Sequence, residues 1–177
     1  MSTMDFVSDA DAADPGGIIS PETFRAENRG RLSGPGLRTF LNIAALWQLG
    51  TAERILVLGS PARSTFHNWV SKAQAGGNIS LPLDTLLRIS AILGIHKNLG
   101  ILFEDPGRGV QWLRAGNASP LFGGQRPLDL ILSGTQLGIL EVRRFLDGWR
   151  GGVFAAPVRH PIEDRAWKDE DIEIIDA

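Results

Sequence analysis

The spacing of apolar residues constrains the fold of this chain more than any other feature. Two stretches, Phe40–Trp47 and Val142–Trp149, place apolar residues at positions i, i+3, i+4 and i+7. This spacing lines one face of an α-helix. Period-two alternation, typical of a strand, occurs only in the short segment Asp171–Ile174. We therefore predict an all-α protein built from short packed helices.

Glycine, proline and capping residues set the expected ends of these helices. Gly50 and Gly94 are expected to stop helices, whereas Thr51, Asp84 and Asp105 are expected to start them. Residues 1–35 show no periodicity and are rich in small and acidic residues, which favours disorder. The predicted helices cover residues 37–49, 52–58, 62–73, 85–93, 97–103, 106–115, 127–132 and 136–150.

Charge is distributed unevenly along the 177 residues, although the net charge is only −2. Residues 1–30 carry six acids and two bases, residues 31–159 seven acids and fourteen bases, and residues 160–177 seven acids and two bases. A basic body therefore lies between two acidic ends. Such a body can approach an anionic partner that the total charge would argue against.

Several classes of protein lack support in the sequence. The chain has no cysteine, which excludes disulfides, a thiolate nucleophile and cysteine-bound zinc. The three histidines are scattered, and no nucleotide-binding or hydrolase motif occurs. We predict no catalytic residue, no metal and no cofactor. Without a secretory signal or a long apolar run, we expect a cytoplasmic protein that does not enter membranes.

The segment from Leu58 to Trp69 is typical of a helix-turn-helix, because Gly59-Ser60-Pro61 joins an apolar helix to one with a polar face. In such DNA-binding proteins the second helix enters the major groove. The second helix offers few cations that could contact phosphates, so one copy would bind DNA weakly and DNA binding would need a dimer. The alternative is an ordinary amphipathic helix with a solvated face. The candidate DNA-binding residues are Arg63, Ser64, Thr65, His67, Asn68 and Lys72.

A second segment carries a more specific pattern. Gly123-Gly124 precedes Arg126-Pro127-Leu128-Asp129, and a later helix with Val142-Arg143 leads to Gly152-Val153-Phe154. This order resembles the toxin-binding domain of Xre/MbcA/ParS antitoxins, and the ParS branch fits best. The resemblance covers residues 37–157, since the upstream helices resemble the family's Xre-like helix-turn-helix.

The resemblance implies that the chain is divided into four parts. Residues 1–35 would be a disordered arm and residues 36–104 an Xre-like helix-turn-helix domain. Residues 105–157 would be a small helical toxin-binding domain, and residues 158–177 an extended acidic tail. The implied function is that of an antitoxin that covers the NAD-binding active site of a RES-domain toxin. Such toxins degrade NAD or transfer ADP-ribose. Autorepression of the operon and a homodimer in a 2:2 complex with toxin are also implied.

The candidate toxin-binding residues follow from the same resemblance. Arg126 can pair with Asp129 or with a carboxylate of the partner. Val153 and Phe154 match the family's closing residues, and Phe154 would fill an apolar part of the NAD pocket. Tail carboxylates would meet the basic groups that hold a pyrophosphate. The alternative for the tail is a solvating acidic segment. The candidates in the tail are Glu163, Asp164, Trp167, Asp169, Glu170 and Asp171.

A different function also fits the helix-turn-helix. The chain would then be a plain transcription regulator, with residues 105–154 as its dimerisation or effector domain. The neighbouring gene separates the two hypotheses, because a RES-type toxin gene would favour the antitoxin.

Overall fold

The predicted all-α class is confirmed by a computed structural model that describes residues 25–152, apart from the side chains of Ala26 and Glu27. Over this range the chain forms α-helices and no strand. The period-two segment 171–174 lies outside the described residues. The helices are α1 (Ala26–Leu46), α2 (Thr51–Val57), α3 (Arg63–Gln74), α4 (Leu83–Leu102), α5 (Pro106–Arg114), α6 (Pro127–Ile131) and α7 (Gln136–Arg150).

Helix α1 corrects the expectation that residues up to 35 are disordered, because it begins at Ala26 and runs through Pro35. The Ser33 hydroxyl donates to the Arg29 carbonyl at 2.6 Å and accepts from the Leu81 backbone N–H at 2.9 Å. Gly36 lies against Ile89 of α4. These tertiary contacts outweigh the low helix propensity of a segment with several glycines.

The junction between α1 and α2 also differs from the prediction. We expected Gly50 to stop the first helix, but Gln48, with φ at 59°, adopts the left-handed conformation after the end of α1. Gly50 is instead the N-cap of α2, and its backbone N–H donates to the Glu53 carboxylate at 2.7 Å. Thr51 is the first residue of α2 and does not cap it. The Glu53 carboxylate therefore satisfies the N–H of the N-cap residue, and no Thr51 side chain caps the helix.

Helix α4 is continuous, so the prediction of two helices separated at Gly94 is wrong. A Cβ atom at position 94 would lie 2.8 Å from Nε of Arg143, which crosses α4 at this point. Gly94 therefore permits the close approach of α7 and does not end a helix. Asp84 is not a cap either, since Pro82 occupies that position and Asp84 pairs with Arg88 at 2.7 Å.

Helix α4 is the centre of the molecule. It packs most extensively against α7 on one side and α1 on the other. Helices α4 and α7 run parallel, because contacts join Arg88 to Gly134 and Asn98 to Asp147. Buried apolar residues from all seven helices form one cluster. Among the described residues, no single helix is long and apolar enough to cross a membrane. Helices α4 and α5 meet that length and composition only as a pair, and the chain bends by 118° between them.

Candidate functional sites

The turn between α2 and α3 is fixed onto α4. Gly59 and Ser60 have φ values of 93° and 57°. A Cβ atom at Gly59 would lie 2.8 Å from the Asp84 carboxylate, so the turn passes directly over the Asp84–Arg88 ion pair. The Thr85 hydroxyl donates to the Leu58 carbonyl at 3.2 Å. The glycine conformation and these contacts set the angle at which α3 leaves the turn.

Helix α3 separates an apolar side from a polar one, as the sequence predicts. Phe66 is buried, and Trp69 and Val70 pack partly buried against the core. The Arg38 guanidinium donates to the Ala73 carbonyl at 2.9 Å and ties the end of α3 to α1. The helix contains no acidic residue. The candidate DNA-binding residues Arg63, Ser64, His67, Asn68 and Lys72 are exposed, and Thr65 is partly buried.

The second predicted site is the segment from Gly123 to Asp129. It comprises the end of the loop between α5 and α6 and the first turn of α6. The Asn117 backbone N–H donates to the Gln125 carbonyl at 3.0 Å, and the Gly124 N–H donates to the Asn117 carbonyl at 2.9 Å. Gly123 and Gly124 have φ values of 55° and 86°. The Gly-Gly part of the motif therefore closes loop 117–125, which is a structural role.

Arg126 pairs with Asp129 within the chain. Its Nε donates to the carboxylate at 2.9 Å, its second guanidinium nitrogen makes a further contact, and its backbone N–H donates to the same carboxylate at 3.2 Å. The hydrogen bond from Arg126 lowers the pKa of the Asp129 carboxyl below its ordinary value. Arg126 remains exposed, so its outer edge stays accessible to a partner.

Aromatic rings cluster where α5, α7 and loop 117–125 meet. The rings of Trp112 and Phe145 are stacked with centroids 6.0 Å apart, and Phe122 lies 4.9 Å from Phe145. Trp149 contacts Phe103 edge-on at 5.8 Å. Trp112 is partly buried, whereas Trp149 is 38% exposed. The cluster thus joins the core to the surface at the end of α7.

The described chain ends just after α7, at Gly151-Gly152. The remaining candidate toxin-binding residues lie outside the described residues. They are Val153, Phe154, Glu163, Asp164, Trp167, Asp169, Glu170 and Asp171. Within residues 25–152, no group of three or more histidine, aspartate or glutamate side chains could hold a metal ion.

Comparison with known proteins assigns a family to the segment that contains the second predicted site. The family model described as the antitoxin Xre/MbcA/ParS C-terminal toxin-binding domain matches residues 98–152. An uncharacterized protein of Sinorhizobium fredii, y4oB, is 44% identical over 116 residues, which cover 66% of this chain and 84% of that relative. No solved structure matches. The chain belongs to the Xre/MbcA/ParS antitoxin family, and its partner is a toxin that the C-terminal domain binds.

Proposed function

We propose that this antitoxin neutralises a RES-domain toxin that degrades NAD or transfers ADP-ribose, and that it does so by covering the NAD-binding active site. The match of residues 98–152 to a toxin-binding domain carries this proposal. The residues that resemble the family's closing Val-Phe follow that domain directly, at Val153 and Phe154. We assign the chain to the ParS branch of the family.

The end of α7 is suited to fix the point where the C-terminal segment begins. The Asn98 amide donates to the Asp147 carboxylate at 2.8 Å, and Arg143 approaches the other oxygen of that carboxylate at 3.7 Å. Trp149 packs on Phe103 one helical turn from Gly152. Because this last turn is held in place, less conformational freedom is lost when the following segment binds a partner.

The chemistry of residues 153–177 complements an NAD site. Phe154 would occupy the apolar part of the pocket. The carboxylates of Glu163, Asp164, Asp169, Glu170 and Asp171 would pair with the Arg or Lys groups that otherwise hold the pyrophosphate. Charge-assisted hydrogen bonds of this kind are the strong ones. Trp167 would supply an apolar anchor, and residues 171–175 would add as a strand to a sheet edge of the toxin.

We further propose that α3 binds operator DNA, so that the antitoxin represses its own operon. Its exposed face carries Arg63 and Lys72 with no acidic neighbour on the helix. Two cations neutralise few phosphates, so binding by one copy would be weak and sensitive to salt. We therefore propose a homodimer, which forms a 2:2 complex with toxin in the cytoplasm. The same face supports the second candidate function, a transcription regulator without a toxin.

Co-expression with the product of the neighbouring reading frame tests the proposal. That product alone should deplete cellular NAD or ADP-ribosylate a protein, and the full antitoxin should prevent both and co-purify with it. The matched control is the same chain ending at residue 152, which keeps helices α1 to α7 and lacks the segment proposed to enter the NAD site. A neighbouring product that leaves NAD and ADP-ribosylation unchanged, or that is not bound, would contradict the proposal and favour the regulator.

A further inference from the structure

Positive charge is compensated unevenly within the described chain. Residues 84–152 carry eight bases and six acids, and four of these bases form ion pairs. Residues 28–83 carry six bases and a single acid, Glu53, whose carboxylate accepts from the Gly50 N–H. None of these six bases forms an ion pair with an acid among the described residues. Such uncompensated charge favours an anionic partner.

Two of the six bases lie on the same side of α1. Arg31 and Arg38 are seven residues apart, which places them about 20° apart around the helix and about 10 Å apart along its axis. Both side chains are exposed. The other side of α1, with Leu37 and Phe40, is buried in the core. The two arginines therefore form a basic edge along the solvent side of α1.

The Arg38 side chain connects this edge to α3. One guanidinium nitrogen donates to the Ala73 carbonyl at 2.9 Å, directly after Lys72 in the sequence. A Cβ atom at Gly34 would lie 3.4 Å from the same nitrogen, so the side chain extends back along α1 towards Arg31. Like charges about one helical turn apart repel each other. An anion bound between them would relieve this repulsion.

We propose that Arg31 and Arg38, which we call the α1 edge, contact phosphates of the DNA that α3 binds. This inference rests on the proposed DNA binding and adds contacts outside α2 and α3, the two helices of the helix-turn-helix. With Arg63 and Lys72, it raises to four the cations that each copy offers to the DNA backbone. Arginine matches phosphate geometry well. Because phosphate contacts carry no base information, the α1 edge strengthens binding and orients α3 without selecting a sequence.

Variants of the full chain test the α1 edge. Arg31→Ala removes one charge, and Arg31→Ala/Arg38→Gln removes two, while the glutamine keeps an amide donor for the Ala73 carbonyl. Fluorescence anisotropy across a KCl series measures binding to a duplex from directly upstream of the antitoxin gene and to an unrelated duplex of equal length. On both duplexes, the salt slope should fall by about one for the single variant and about two for the double, with about fivefold lower affinity for each charge.

A matched control separates the α1 edge from net charge. Arg108→Ala/Arg150→Gln removes two exposed charges from α5 and α7 and should keep the wild-type slope. An equal fall in this control would mean that net charge alone acts, and the inference would be wrong. A thermal melt shows whether each variant is folded, and Arg31 is so exposed that its substitution removes little packing.

The remaining outcomes separate this inference from the proposed function. A wild-type chain that binds neither duplex would overturn the proposed DNA binding and the α1 edge together. Wild-type binding with an unchanged slope in Arg31→Ala and in the double variant would overturn the α1 edge alone. A loss of affinity confined to the upstream duplex would also contradict the inference, because it would make these arginines readers of sequence.

Discussion

The exposed faces of α3 and α7 differ in the side chains that each helix presents to solvent. Helix α3 turns its aromatic residues inward and presents polar and basic groups such as Arg63 and Asn68. Helix α7 exposes Leu137 and Trp149. A polar, acid-free face suits a polyanion, whereas exposed apolar residues among charged ones such as Arg144 suit another protein. Both helices are attached to the core around α4, so one scaffold presents two surfaces of different chemistry.

Of the changes that separate toxin binding from operator binding, removal of residues 153–177 should have the largest effect. We expect inhibition of the toxin to fall by about 100-fold or more, since several anchors are lost together. Operator binding should be unchanged, because α3 is intact. Toxin activity and operator affinity are measured on the same preparation. Equal inhibition by the shortened and the full chain would show that residues 153–177 are only a solvating segment.

The second-largest effect is expected on operator binding, from substitutions on α3. The double variant Arg63→Ala/Asn68→Ala should weaken operator binding by about tenfold to 100-fold, if both side chains contact bases or phosphates. Binding of toxin should not change. The control is Arg108→Ala, which removes one exposed charge from α5 without touching α3. Unaltered operator binding in the double variant would mean that α3 is scaffold only, and the two faces would no longer represent two functions.

Lys72→Ala should have a smaller and more specific effect. A lysine that contacts only phosphate weakens binding to all DNA sequences alike, and its loss lowers the salt slope of binding by about one ion. Fluorescence anisotropy across a series of KCl concentrations measures this slope. A slope equal to that of the wild type, or a loss confined to one sequence, would place Lys72 in a different role.

Sequence patterns predicted the helices whose ends are set locally. The span of α7 is confirmed at both ends, where Thr135 accepts from the Gly138 N–H and Gly151-Gly152 follows the last turn. The start of α5 at Pro106 is also confirmed, with Asp105 as its cap.

Predictions failed where contacts distant in sequence decide the structure. Ser33 is held by Leu81, 48 residues away, and this contact helps to extend α1 well before the predicted start. Gly94 suggested a helix end, yet it accommodates Arg143. A glycine has the same signature in sequence whether it stops a helix or admits a neighbouring one.

The two surfaces also differ in how far the sequence could predict them. Polar residues on α3 alternate with inward aromatic residues at helical spacing, so the exposed face was predictable. Leu121 is a single apolar residue in a loop, and nothing in the sequence indicates that it faces Phe145 across a groove. The groove depends on loop closure through Asn117 and Gly124. An apolar surface made by two distant segments becomes visible only once they are folded together.

The smallest expected effect comes from the Arg126–Asp129 pair, which belongs to neither exposed face. The pKa of Asp129 is lowered by the hydrogen bond from Arg126, so the ionised carboxylate stabilises the folded state. This contribution is present above the ordinary pKa of 3.8 and is lost as pH falls through the lower pKa of the folded state. Because the pair is exposed, solvent screens it. Asp129→Asn should therefore lower Tm only slightly at pH 7, and the difference from wild type should vanish in acid. A difference that persists in acid would mean that Asp129 acts as an N-terminal hydrogen-bond acceptor for α6, a role that asparagine fills less well, and that its charge contributes little.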